Sequence, residues 1–123
     1  MSANVWLQLV DTAALEKLAV EFDIDEIWLF GSAAKEDREE VGDIDIAILT
    51  DQNHGAALLS ELQRVFPNAR VQCCRGYFKA PNSVAKDKPL PHFVLANTAS
   101  DDVKHPIFKS ITSGTRIWRR QAA

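Results

Sequence analysis

The stretch Ile27-Trp28-Leu29-Phe30-Gly31-Ser32-Ala33-Ala34, followed after a short interval by Gly42-Asp43-Ile44-Asp45-Ile46-Ala47-Ile48-Leu49, decides how this chain folds. Residues 27 to 30 form a compact apolar run of strand-forming side chains that stops at a glycine, the mark of a buried strand. Ser32 is placed to cap a short helix starting at Ala33. The charged residues from Lys35 to Glu40 need solvent, and Gly42 marks a turn. A second strand then alternates. Ile44, Ile46 and Ile48 go to one face; Asp43, Asp45, Ala47 and Leu49 go to the other.

Each piece has a chemical use. Gly31 lets the backbone turn sharply and come close to a ligand. Ser32 and the amides that follow it suit phosphate oxygens. Asp43 and Asp45 are two positions apart on one strand, so both carboxylates leave the same face, with Cα atoms about 6.5 to 7 Å apart at ~3.3 Å per residue. Two carboxylates so placed can share magnesium ions, which take oxygen ligands from carboxylates and substrate phosphates. A pair of ions suits in-line displacement at phosphorus.

Outward from this centre, Asp11 or Thr12 can cap a first helix with Leu15, Leu18, Ala19 and Phe22 on its apolar face. A further helix runs from about Gly55 to Phe66 with Leu58, Leu59, Leu62, Val65 and Phe66 as its stripe, and Pro67 lies just past it. Residues 70 to 74 read as a third strand and His92 to Ala96 as a fourth. Residues 75 to 91 are irregular and basic, mixing Arg75, Tyr77, Phe78, Lys79, Lys86 and Lys88, as a strand-binding surface or a plain solvated loop would. Pro106 suits the first turn of a last helix closed by Gly114, and Arg116 to Trp118 adds a short final strand. Helix and strand alternate through the first 75 residues. The expected fold class is α+β, a mixed α/β arrangement with a three-stranded core sheet flanked by helices, and residues 1–123 read as one domain.

Composition excludes some classes and leaves others open. The chain has 123 residues, 46% hydrophobic and 25% charged, enough for a core without staples. A net charge of -3 gives no overall drive toward nucleic acid. No run approaches the ~18 apolar residues of a membrane span, no secretory signal stands at the start, and a cytoplasmic location is expected. Cys73 and Cys74 are adjacent, which suits two reduced thiols better than a disulfide or a zinc site. His54, His92 and His105 are scattered and suggest no metal site.

The two quoted segments resemble the signature of the nucleotidyltransferases of the DNA polymerase beta superfamily. There a hydrophobic strand ends in Gly-Ser, and an Asp-hydrophobic-Asp strand follows; here ten residues separate Ser32 from Asp43. Pro106 to Trp118 is similar to the closing helix, glycine and strand of many small members. The resemblance implies the nucleotidyltransferase fold with an α-β-α-β-α-β core. It implies that Gly31, Ser32 and Lys35 hold the triphosphate of a nucleoside triphosphate, and that Asp43 and Asp45 are catalytic and bind Mg2+ (or Mn2+). The reaction would move a nucleoside monophosphate to an acceptor hydroxyl. Small members often pair with a helical partner protein, sometimes as an antitoxin. Members usually carry a third carboxylate on the next strand, where this chain has Gln72; Glu36 stands where many have glycine. Asp87, Asp101 and Asp102 are the other acids on offer. The alternative function is a catalytically degenerate relative that binds a nucleotide or a partner without transfer.

Overall fold

The computed structural model describes residues 5–35, 42–76 and 89–121. Its elements are α1 (Thr12–Glu21), β1 (Glu26–Phe30), β2 (Asp43–Thr50), α2 (Gly55–Val65), β3 (Arg70–Cys73), β4 (Leu90–Asn97), α3 (Pro106–Thr112) and β5 (Thr115–Arg119). Most of β2 is buried on both faces, from Ile44 and Ile46 on one side to Ala47 and Leu49 on the other. A strand covered on both sides belongs in the middle of a sheet, and β2 is central in the order β3-β4-β2-β1-β5. The sheet is mixed. β4 runs parallel to both β2 and β3, whereas β1 is antiparallel to β2 and to β5.

The mixed α and β class is as the sequence predicts, and all five strands fall where it places them; the fourth, however, is inside the sheet rather than outside a core of the first three. The difference lies in order. β3 follows β2 along the chain, yet β4 lies between them. Parallel pairing joins segments distant in sequence, and alternation within each strand carries no record of which neighbour it takes.

The isoleucines of β2 pack with Leu15, Leu18 and Ala19 of α1 and Leu58 and Leu62 of α2, which cover one face. Ala47, Leu49, Val94 and Ala96 pack on the other face with Ile107 and Ile111 of α3. Trp6 belongs to the first cluster, Trp118 packs against it, and Trp28 packs against the second.

Local chemistry closes α1 at both ends and opens α3. The Asp11 carboxylate accepts from the Ala14 N–H at 3.0 Å, capping α1. At its other end Asp23 takes φ 52, while its N–H bonds to the Val20 carbonyl and that of Ile24 to the Ala19 carbonyl. This pattern closes a helix through one left-handed residue. Pro106 opens α3, as expected, and the His105 ring accepts from the Ile107 N–H at 3.1 Å. Gly114 lets α3 turn into β5 directly against β1: a Cβ there would strike the Leu29 carbonyl oxygen and lie 2.9 Å from Phe30 Cα.

Candidate functional site

The hairpin of β1 and β2 builds the first part of the site. Phe30, last in β1, pairs with Asp45. Gly31 follows with φ 70, and a Cβ on it would collide with Asp45 Oδ2. Glycine is thus required twice, for its backbone angle and for the space the carboxylate occupies. Gly31–Ala34 forms one turn of 3₁₀ helix, with Ser32 inside it rather than capping a helix that starts at Ala33. The turn ends at Lys35, whose backbone is extended; Glu36 lies outside the described residues.

Asp43 and Asp45 leave the same face of β2, as alternation predicts, and both are partly exposed. In the parallel register of β2 and β4, Asp45 pairs with His92. Asp43, Asp45 and His92 each offer one potential ligand atom, and these atoms lie within 4.8 Å of one another. His92 is 1% exposed. Its Nδ1 lies 3.1 Å from Asp45 Oδ1 and 3.2 Å from Arg70 Nη2, and its Nε2 lies 2.9 Å from Gln72 Oε1.

Two sequence expectations change here. The histidines are scattered along the chain, yet the fold brings His92 to both aspartates. Gln72 is not beside β2: β4 intervenes, and the place next to Asp45 belongs to His92. Gln72 stands one strand farther out and reaches the site through His92. Asp102, offered from sequence as a loop acid, is at the opposite end of β4. It accepts from the Asn97 N–H at 2.8 Å and pairs with Arg75 at 3.0 Å, which gives it a structural role. Asp87 lies outside the described residues, as does the basic stretch from Tyr77 to Lys88.

Beside the carboxylates, a cavity of about 610 Å³ runs between the Gly31 turn and α3. Gly31, Ser32 and Lys35 line one wall; Lys109, Ser110 and Ser113 line the other. Sequence reading did not single out these α3 residues. Their one signal was position: Lys109 and Ser113 are one turn apart, off the face that buries Ile107 and Ile111. Because Gly31 touches Asp45 and also lines the cavity, the cavity and the acid–imidazole cluster adjoin.

The residues fit divalent cations, since carboxylate oxygens and a neutral imidazole are both ordinary ligands. A phosphate-sized anion in the cavity would meet the ammonium groups of Lys35 and Lys109 and several hydroxyls.

The family model described as polymerase beta, nucleotidyltransferase matches residues 14–87. That span runs from α1 through β3 and includes Gly31, Ser32, Asp43 and Asp45; His92 and the α3 wall of the cavity lie beyond it. No curated protein and no solved structure matches the chain. The match extends over more than half of the sequence and coincides with the strand–turn–strand unit that carries both aspartates, so the chain belongs to the polymerase beta nucleotidyltransferase family.

Proposed function

We propose that this protein transfers a nucleoside monophosphate from a nucleoside triphosphate to an acceptor hydroxyl, with release of pyrophosphate. The observation that carries the reading is the seat of Gly31 against Asp45, which joins the cavity to the carboxylates. The triphosphate tail occupies that cavity, held by Gly31, Ser32 and Lys35, with Lys109 on the facing wall. Asp43 and Asp45 are the catalytic carboxylates and bind the divalent cations, magnesium or manganese. When bound, such cations supply positive charge that stabilises the phosphoryl oxygens in the transition state. The chain itself aligns the tail so that the acceptor oxygen, losing its proton to solvent, bonds to the α-phosphorus as the bond to pyrophosphate breaks.

Residues 1–123 form one nucleotidyltransferase-like domain in this reading. Support comes from β4, α3 and β5, which lie beyond the matched span yet complete the same sheet and cavity. The acceptor is delivered by a partner, a helical protein being the occupant that resemblance to small family members favours. A cytoplasmic location fits the chemistry, and no helix among the described residues is long and apolar enough to cross a membrane.

One observation favours a second reading. The Arg70 guanidinium approaches His92 Nδ1 at 3.2 Å, next to the carboxylates. A cation supplied by the chain can take the place of a bound ion, and the protein would then bind a nucleotide or a partner without transfer.

Thermal unfolding with magnesium and each nucleoside triphosphate tests the first reading. A ligand at 100 times its dissociation constant adds about 2.7 kcal/mol. For a domain of this size that raises the midpoint by roughly 10 °C or more. A metal-dependent rise, lost in Asp43→Asn/Asp45→Asn, is the expected result. The reading fails if no triphosphate shifts the midpoint in the presence of magnesium or manganese. A rise that needs no metal and persists in the double variant favours the second reading.

A further inference from the structure

His92 is the one member of the cluster that brings nitrogen, and its hydrogen-bond neighbours fix how it is presented. Gln72 Oε1 accepts hydrogen bonds and cannot donate, so at 2.9 Å it takes the proton on Nε2. Arg70 Nη2 donates and cannot accept, so at 3.2 Å it faces a lone pair on Nδ1. Two independent neighbours thus assign the same tautomer, with the Nδ1 lone pair taken by Arg70, which an ion bound there would displace. Asp45 Oδ1, itself an acceptor, lies 3.1 Å from that nitrogen. Two acceptors so close need positive charge beside them; the Arg70 guanidinium supplies it at 3.2 Å, and a dication bound at Nδ1 would take its place. Their separation is that of adjacent ligands on an octahedral ion, about 3.0 Å for bonds of ~2.1 Å.

We propose that Asp43, Asp45 and His92 form a mixed carboxylate–imidazole site that selects a transition-metal dication over magnesium, with Gln72 as the residue that positions the imidazole. The inference rests on the metal-dependent transfer proposed above and deepens it. Magnesium is a hard ion that prefers oxygen ligands and gives up water reluctantly. Imidazole nitrogen favours first-row transition ions, whose affinities rise from manganese toward copper. One buried imidazole in place of an oxygen ligand therefore shifts preference away from magnesium. Gln72 acts at one remove: it holds the ring and its tautomer, the usual task of an outer partner to a ligating histidine. The physical reason for burying His92 is then plain, since a ligand ring 2% exposed keeps one orientation.

Manganese is the probe, because its electron spin reports directly bound nitrogen. The full chain, prepared with natural-abundance histidine and with 15N-histidine, is loaded with Mn2+ and examined by pulsed electron paramagnetic resonance. The expected result is a nitrogen modulation that changes with the isotope and disappears in Asp45→Asn. Competition should show Mn2+ binding ~10-fold or more tighter than Mg2+. In His92→Asp the nitrogen signal and most of that preference are lost. Gln72→Ala keeps the histidine and weakens Mn2+ binding by about 10- to 100-fold. Isotope labelling leaves the fold untouched, so the inference stands or falls even where His92→Asp does not fold. Manganese bound without nitrogen coupling, and released in Asp43→Asn/Asp45→Asn, overturns the role of His92 and leaves the carboxylate site of the proposed transfer standing. Nitrogen coupling with equal affinity for both ions overturns the selectivity. No bound ion, with or without nucleotide, overturns the site and the transfer reading together.

Discussion

Gly31 holds the site open by lacking a side chain. With φ 70 it lies where L-residues are strained, and any Cβ meets the Asp45 carboxylate. Gly31→Ala should cost about 1–3 kcal/mol in urea unfolding. It should also abolish the metal-dependent thermal shift, because relief comes most easily by displacing Asp45. A stability loss that leaves the shift intact would mean that Asp45 is not needed for nucleotide binding. The two cysteines differ in the same local way. Burial, reinforced by the nearby Asp102 charge, pushes the Cys74 thiol up to about 11, whereas Cys73 is exposed. A raised thiol pKa means that the neutral form is favoured in the folded state. The stability it lends is intact below the unfolded value of 9.0 and declines as pH rises through about 11. At pH 8 a thiol reagent should therefore label Cys73 in the native protein and reach Cys74 only after denaturation; rapid native labelling of both would contradict the burial of Cys74. Sequence reading brought Gly31, Asp43 and Asp45 together because all three lie on one local hairpin, where spacing translates into geometry. It missed His92 because no periodicity records a parallel pairing between residues 45 and 92.

Helix ends and turns decide how the elements meet the sheet. Asp23 occupies the left-handed position that closes α1, where glycine carries no Cβ penalty. Asp23→Gly should leave the fold unchanged and raise stability by about 0.5–1 kcal/mol, the usual scale of backbone substitutions at special angles. A loss would show instead that the Asp23 side chain has a role of its own. Gly114 poses the opposite case. Its added Cβ would meet the backbone of Leu29 and Phe30, which cannot swing aside as a side chain does. Gly114→Ala should destabilise by ~1–3 kcal/mol through overpacking, and hydrogen exchange should quicken first at Thr115–Arg119. These boundaries were legible. Asp11, Pro106 and Gly114 sit at the ends where capping chemistry puts them, and the helical stripes of α1 and α2 point inward as their spacing requires. The turn after Gly31 was less so, because a serine after a strand fits both a cap and a single 3₁₀ turn.

At the scale of the molecule, the sheet gathers residues 31, 43, 45, 70, 72 and 92 into one place, and β4 is the strand that does so. It pairs along its length with β2 and along Leu95 and the three residues before it with β3. Phe93, Val94 and Ala96 are fully buried in the two cores. The family match ends at residue 87, before this strand begins. A chain cut after Lys88 would keep every matched residue but lose the strand that lies between β2 and β3. The buried edges of both strands would then be left with unpaired amides and carbonyls, each costing ~1–3 kcal/mol where water cannot replace the partner. Such losses quickly exceed a typical total stability of about 5–15 kcal/mol. The chain ending at Lys88 is therefore expected to show no cooperative thermal transition by circular dichroism. A chain ending at Gly114 loses only the edge strand β5, with its Arg116–Glu26 and Arg120–Asp25 ion pairs at the surface. It should still unfold cooperatively, at a lower midpoint, and keep its metal-dependent shift, since Asp43, Asp45, His92 and the α3 wall of the cavity all remain. If the shorter chain folded and bound a nucleotide with metal, His92 and α3 would be dispensable, and the site would reduce to the hairpin alone.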